Sequence, residues 1–157
     1  MEQFYFSKEI QRKLSEIYQS SLTMIEAPAG YGKSTAVRWA MWDVPPEQVH
    51  WFTAVSFLQD TSLDWFIRQI GILDPDAGTA LRNLGFLNRS NVSDAADILS
   101  RLSIAEPCYL ILDNFQLIGD NWPLPLLLAV ADRPQDGLHV VLISQNFKKL
   151  RAVFEST

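Results

Sequence analysis

Nine residues, Ala27-Pro28-Ala29-Gly30-Tyr31-Gly32-Lys33-Ser34-Thr35, constrain this chain more than any other stretch. They are small and flexible, and they join two segments of opposite periodicity. Before them, Leu22–Glu26 reads as a short buried strand. After Gly32, Lys33–Trp42 reads as a helix, stopped before the Pro45-Pro46 pair. A small-residue loop between strand and helix that ends in Gly-Lys-Ser satisfies the pattern of a phosphate-binding loop, with Ala27 where the first glycine usually stands. Each residue type has a reason. Gly30 and Gly32 permit a backbone whose N–H groups converge as an anion nest. The helix starting at Lys33 turns the positive end of its dipole toward the anion. Lys33 is placed to reach the β- and γ-phosphates, the Ser34 hydroxyl to ligate Mg²⁺, and Thr35 to support the α-phosphate. The plainer alternative is a Gly-Lys-Ser turn that merely begins a helix; the complete strand–loop–helix context favours the phosphate loop.

Such a loop needs a second group to hold the metal's water shell, usually an aspartate that ends a neighbouring strand. Tyr109–Asp113 is a continuous apolar run ending in a carboxylate, which nominates Asp113 as the Mg²⁺ partner of Ser34. The next residue is Asn114, which cannot accept a proton from an attacking water as an acid could.

The remaining segments alternate strands with helices. Strands are expected at Val49–Val55 and Leu138–Ile143. Helices are expected from Ser7 to about Ser20, over Ser62–Ile72, Ser93–Ile104 and Trp122–Ala131, and from Phe147 onward. Asp74–Ser90, broken by Pro75, Gly78 and Gly85, reads as short helices or a mobile segment and is the one candidate linker. This alternation predicts a single α/β domain over residues 1–157 with a mostly parallel sheet. At 157 residues, 48% hydrophobic and 20% charged, the chain suits one globular core. A net charge of −5 disfavours direct grip on a nucleic-acid backbone. The single cysteine, Cys108, excludes an internal disulfide and fits a cytoplasmic compartment. No apolar run approaches the roughly 20 residues of a membrane span, and the first ten residues lack a signal-peptide pattern.

The same residues resemble a known family. Ala27–Thr35 looks like the "APAGYGKT/ST" loop of the large ATP-binding LuxR-type transcription regulators, typified by the maltose-regulon activator. These belong to the signal-transduction ATPases with numerous domains, relatives of the AAA+ enzymes. Val49-His50-Trp51-Phe52 resembles their second strand, Leu112–Ile118 their "hDDYHhI" segment, and Val140–Gln145 their "hhhhSR" sensor strand. The likeness runs from Leu22 to about Leu150. It implies a P-loop NTPase sandwich of three layers with sheet order 5-1-4-3-2, the fifth strand absent from this chain unless Gln3–Phe6 supplies that edge. It implies ATP and Mg²⁺ as ligands, self-association or contact with other domains of a longer protein as partnerships, and DNA binding only through a C-terminal domain outside this chain. Asn114, Gln116 and Gln145 stand where the family has an acid, a histidine and an arginine. Loss of the acid and the arginine implies at most a slow ATPase. The expected function is a nucleotide switch. An active ATPase or phosphotransferase, or a degenerate loop serving as an interaction scaffold, are the alternatives.

Among other residues, His50 and His139 read as structural. The five tryptophans read as core or interface packing, Cys108 as a small buried apolar residue, and Lys148-Lys149-Arg151 as a solvated basic face. Adenine contacts are expected around Phe4–Arg12.

Overall fold

Two strands form the centre of the molecule because their residues are apolar without alternation. The structure is a computed structural model and describes residues 8–26, 32–56, 60–134, 136–148 and 150–152. In chain order its regular elements are α1 (Lys8–Glu16), β1 (Leu22–Glu26), α2 (Lys33–Ala40), β2 (Val49–Thr53), α3 (Ser62–Leu73), α4 (Pro75–Asn83), α5 (Val92–Ser100), β3 (Cys108–Asp113), α6 (Leu124–Ala131) and β4 (Leu138–Ser144). Short 3-10 turns precede β2 and follow β3, and residues 148 and 150–152 are helical.

The four strands are parallel and ordered β1-β4-β3-β2. Every residue of β3 and β4 is buried, as expected of strands covered on both faces. β1 and β2, at the edges, are only partly buried. One face of the sheet presents Ile25, Tyr109, Ile111, Val141 and Ile143 to Leu14 of α1, to Ile17 in the turn after it, and to Ala36 and Val37 of α2. The other face presents Leu110, Leu112, Val140 and Leu142 to Phe66 and Ile70 of α3, Leu81 of α4, Leu99 of α5 and Leu126 of α6. The helix that leaves β1 therefore covers one face, while the helix that leaves β3 covers the other. In open α/β sheets ligands bind beyond the carboxyl ends of the strands, where the connections diverge to opposite faces. Among the described residues no fifth strand lies beside β1, and Gln3–Phe6 falls outside them.

Several expected boundaries shift. The first helix ends at Glu16 rather than near Ser20, the second at Ala40 rather than Trp42, and the fifth at Ser100 rather than Ile104. The expected helix from Trp122 starts at Leu124, because Pro123 takes an extended ψ of 125° as its N-cap. Ser7, where the first helix was expected to begin, lies outside the described residues.

Asp74–Ser90, expected as short helices or a mobile segment, contains a short helix, and its reading as a linker is corrected. Pro75–Asn83 is a regular helix within the core, with Ala77, Gly78 and Leu81 buried. Asp74 explains it. One carboxylate oxygen accepts the Ala77 N–H at 3.2 Å as an N-cap and the other accepts the Ser103 N–H at 3.0 Å, while Pro75 occupies the first turn. The glycine that reads as a breaker is a packing device: a Cβ on Gly78 would lie 2.3 Å from the Gly71 Cα of α3. Gly78→Ala is therefore expected to destabilise the domain by about 2 kcal/mol, some ~3 kcal/mol of overpacking less the ~1 kcal/mol alanine gains over glycine in a helix. Denaturant unfolding checks it, and equal or greater stability of the variant would refute the close α3–α4 contact.

Candidate functional site

The carboxyl ends of the strands bring the site residues together. In register, Glu26 of β1 lies beside Ser144 of β4, and Thr53 of β2 beside Asp113 of β3. Gly32 caps α2 with φ 67°, a left-handed conformation that glycine adopts without steric cost. A Cβ there would meet nothing within 4 Å, so the backbone angle and not lack of space selects glycine. The first helical bond runs from the Ala36 N–H to the Gly32 carbonyl at 2.8 Å. Lys33 opens the helix and is 8% exposed. Ala27, Pro28, Ala29, Gly30 and Tyr31 lie outside the described residues, so the described part of the loop is Gly32–Thr35.

Asp113 is 6% exposed, and both of its oxygens are engaged. Oδ2 accepts the Ser34 hydroxyl at 2.8 Å, a bond spanning 79 residues of sequence. Oδ1 accepts the Asn114 backbone N–H at 2.8 Å. The two side chains nominated as metal ligands from sequence thus meet directly. Both offer hard oxygen atoms of the kind Mg²⁺ takes. Among the described residues no group of three or more His, Cys, Asp or Glu could enclose a metal.

Asn114 has a structural role that sequence reasoning missed. It is the one described non-glycine residue with positive φ, at 59°, a region asparagine tolerates better than most residues. Its side-chain Nδ2 donates to the Ala54 carbonyl at 3.2 Å, and the Ala54 N–H donates to the Asp113 carbonyl at 3.0 Å. The carboxamide therefore closes the end of β2 onto β3, a donation an ionised aspartate could not make. Gln145 and Gln116 are joined to each other: the Gln145 backbone N–H donates to Gln116 Oε1 at 3.2 Å.

Glu26, the last residue before the loop, was not singled out from sequence. Its Oε1 accepts the Phe147 N–H at 2.8 Å and its Oε2 pairs with Arg151. The strand that leads into the loop is thereby fastened to the helical residues after β4. A charged residue that closes a buried strand was the available signal. Arg151 is correspondingly not a purely solvated cation, whereas Lys148 is exposed and the Lys149 side chain lies outside the described set.

The other candidates behave as structure. His139 is buried, stacked on Tyr109 with centroids 4.6 Å apart, and its Nδ1 lies 3.0 Å from the Ser20 carbonyl. His50 is half-buried on the edge strand. Burial pushes the Cys108 thiol up to about 11, which keeps it protonated and unreactive at neutral pH. Trp122 is core, whereas Trp42 is 76% exposed and lies outside it. Of the expected adenine segment, residues 4–7 lie outside the described set. Compared with models of known families and with curated proteins, the sequence matches none of either.

The Glu26 contacts give a pH prediction. The Phe147 N–H is the main cause that holds its carboxyl below the ordinary 4.5, burial opposes it, and Arg151 assists. A depressed carboxyl contributes stability that is present above the unfolded pKa and lost as pH falls through the folded one. Stability of the natural protein should therefore fall more steeply below about pH 4.5 than that of Glu26→Gln. Parallel acid-unfolding curves would contradict this.

Proposed function

We propose that this domain is a P-loop NTPase-type nucleotide switch, binding Mg·ATP at Ala27–Thr35 and hydrolysing it slowly or not at all. The observation that carries the reading is the 2.8 Å bond between Ser34 Oγ and Asp113 Oδ2 at the carboxyl ends of a parallel sheet. A chain whose Gly-Lys-Ser served only to begin a helix would have no need to bring a buried carboxylate from a strand 79 residues away onto that serine. In the proposed complex the loop N–H groups and Lys33 hold the phosphates, and Ser34 and Asp113 hold the metal. The bound Mg²⁺ would neutralise charge on the β- and γ-phosphates. Sheet order β1-β4-β3-β2 agrees with the four-strand part of the order expected from the family resemblance.

The weak turnover follows from what surrounds the metal corner. Asn114 offers no carboxylate base, and its amide is engaged with Ala54. Gln145 offers no positive charge to a transferred phosphoryl group. Binding without prompt hydrolysis is the behaviour of a switch, and it supports the resemblance to the ATP-binding module of LuxR-type regulators over an active ATPase. The Ser34–Asp113 pair likewise favours a switch over a bare interaction scaffold.

Mg·ATP at 100 times its Kd should stabilise the domain by about 2.7 kcal/mol. The shift should vanish in Lys33→Ala. Identical melting of both proteins with and without nucleotide would refute binding.

Phosphate release should be slower than about 1 s⁻¹, the lower range of ordinary enzymes. Asn114→Asp combined with Gln145→Arg should raise it, since a positioned general base is typically worth about 10²–10⁴-fold. Steady turnover of the natural domain above that rate would overturn the switch reading.

A further inference from the structure

A cavity of about 530 Å³ lies between the β3–α6 connection and the helical residues after β4. None of Gly32, Lys33, Ser34 or Asp113 lines it, so it is separate from the metal corner described above. Its volume falls within the roughly 300–1,000 Å³ of small-molecule sites. The floor is aromatic and aliphatic: Phe115, Trp122, Leu127 and Phe147 line it and none is more than 6% exposed. The Phe115 ring centroid lies 5.9 Å from that of Trp122 and 6.2 Å from that of Phe147. The indole N–H of Trp122 is already donated to Ser62 Oγ at 2.8 Å, so the floor asks no hydrogen bond of a ligand there.

The rim is polar, with Gln116, Asp120, Asn146 and Lys148 exposed and Ser144 buried beneath them, and its chemistry is one-sided. Gln116 Oε1 accepts the Gln145 N–H at 3.2 Å, and Asn146 Oδ1 accepts the Lys148 N–H at 2.7 Å. Ser144 Oγ donates to the Asn146 carbonyl at 3.1 Å. The side-chain oxygens of these residues are therefore engaged within the protein. Among the described hydrogen bonds none uses the carboxamide N–H groups of Gln116 or Asn146, and Lys148 adds an ammonium. Three donors stand on the rim against a single carboxylate, Asp120. A buried aromatic floor selects a flat apolar body, and a donor-rich rim selects a head group of acceptor oxygens.

We propose that this cavity is a binding site for a small aromatic carboxylate or a molecule of the same chemistry. It holds the ring against Phe115, Trp122 and Phe147 and the anionic head toward Gln116, Asn146 and Lys148. The site stands whether or not the loop at Ala27–Thr35 binds nucleotide. Phe147 also gives it an address in the fold: its ring lines the floor, while its N–H is held by Glu26 at the end of β1.

The test uses 1-naphthoate and its cationic counterpart 1-naphthylmethylammonium, two probes with the same ring system and opposite heads. Binding is followed by ¹H–¹⁵N NMR of the full chain. 1-Naphthoate should bind saturably with a Kd of about 1 mM or tighter, the affinity that a dozen or so heavy atoms reach at ordinary ligand efficiency. It should shift the side-chain amide signals of Gln116 and Asn146. Lys148→Glu, a change at an exposed position, should weaken binding about tenfold, as expected for the loss of one charge-assisted hydrogen bond. Leu124→Trp, which fills the mouth, should abolish it. If the Leu124 variant fails to fold, the exposed Lys148 variant still decides. No saturable binding, unmoved Gln116 and Asn146 amides, unchanged affinity in Lys148→Glu, or tighter binding of the ammonium probe would each overturn the proposal.

Discussion

Asp113 ends a strand whose six residues are all buried, and an ionised carboxylate in that position is costly unless its oxygens are partnered. Its partners decide how three parts of the chain meet. The Ser34 hydroxyl brings in the first turn of α2 and hence the end of the loop after β1. The Asn114 N–H turns the backbone sharply out of β3. The Ala54 N–H, bound to the Asp113 carbonyl, fixes the end of β2. One buried acid thus sets the geometry of the sheet's carboxyl end, and that end is where an α/β sheet of this connectivity offers a ligand crevice.

A second fastening lies two strands away, with β4 between. Glu26 holds the Phe147 N–H and Arg151, so the last residue before the loop and the helical residues after β4 move as neighbours. Gln116 and Gln145 close the space between these two fastenings. The crevice edge is therefore framed by hydrogen bonds from three strand ends. Arg133 does comparable work at the other end of the sheet, where its guanidinium meets the Leu99 carbonyl at 2.6 Å and pairs with Asp136 while its own carbonyl accepts the Ser21 hydroxyl.

Much of this was legible in the sequence where periodicity and burial coincide. Leu22–Glu26, Tyr109–Asp113 and Leu138–Ile143 announce themselves as apolar runs, the last two each one residue short of the observed strand, and the placement of Asp113 against Ser34 followed from the loop pattern together with a strand-ending acid. Helix ends were overrun at α1 and α5 because apolar spacing continues into the turns that follow. Pro75–Asn83 looked like a linker because Gly78 reads as a breaker. In three dimensions its missing side chain is what lets α4 lie against Gly71, a fact about a distant helix that no local pattern carries. Asn114 was legible as an absent acid but not as a left-handed residue whose amide is needed by Ala54. The contacts of Glu26 with the Phe147 N–H and of Arg133 with the Leu99 carbonyl were illegible for the same reason: those partners lie more than 30 residues away.

The central claim is that Ser34 and Asp113 form the metal corner of a nucleotide site, and calorimetric titration of ATP with Mg²⁺ and with EDTA tests it most directly. The account predicts that Mg²⁺ tightens binding to the natural domain. In Asp113→Ala the metal's contribution should be largely lost, while the weaker metal-free binding through Lys33 and the loop remains. Equal affinity in Mg²⁺ and EDTA for the natural domain, or an undiminished Mg²⁺ effect in Asp113→Ala, would contradict the account.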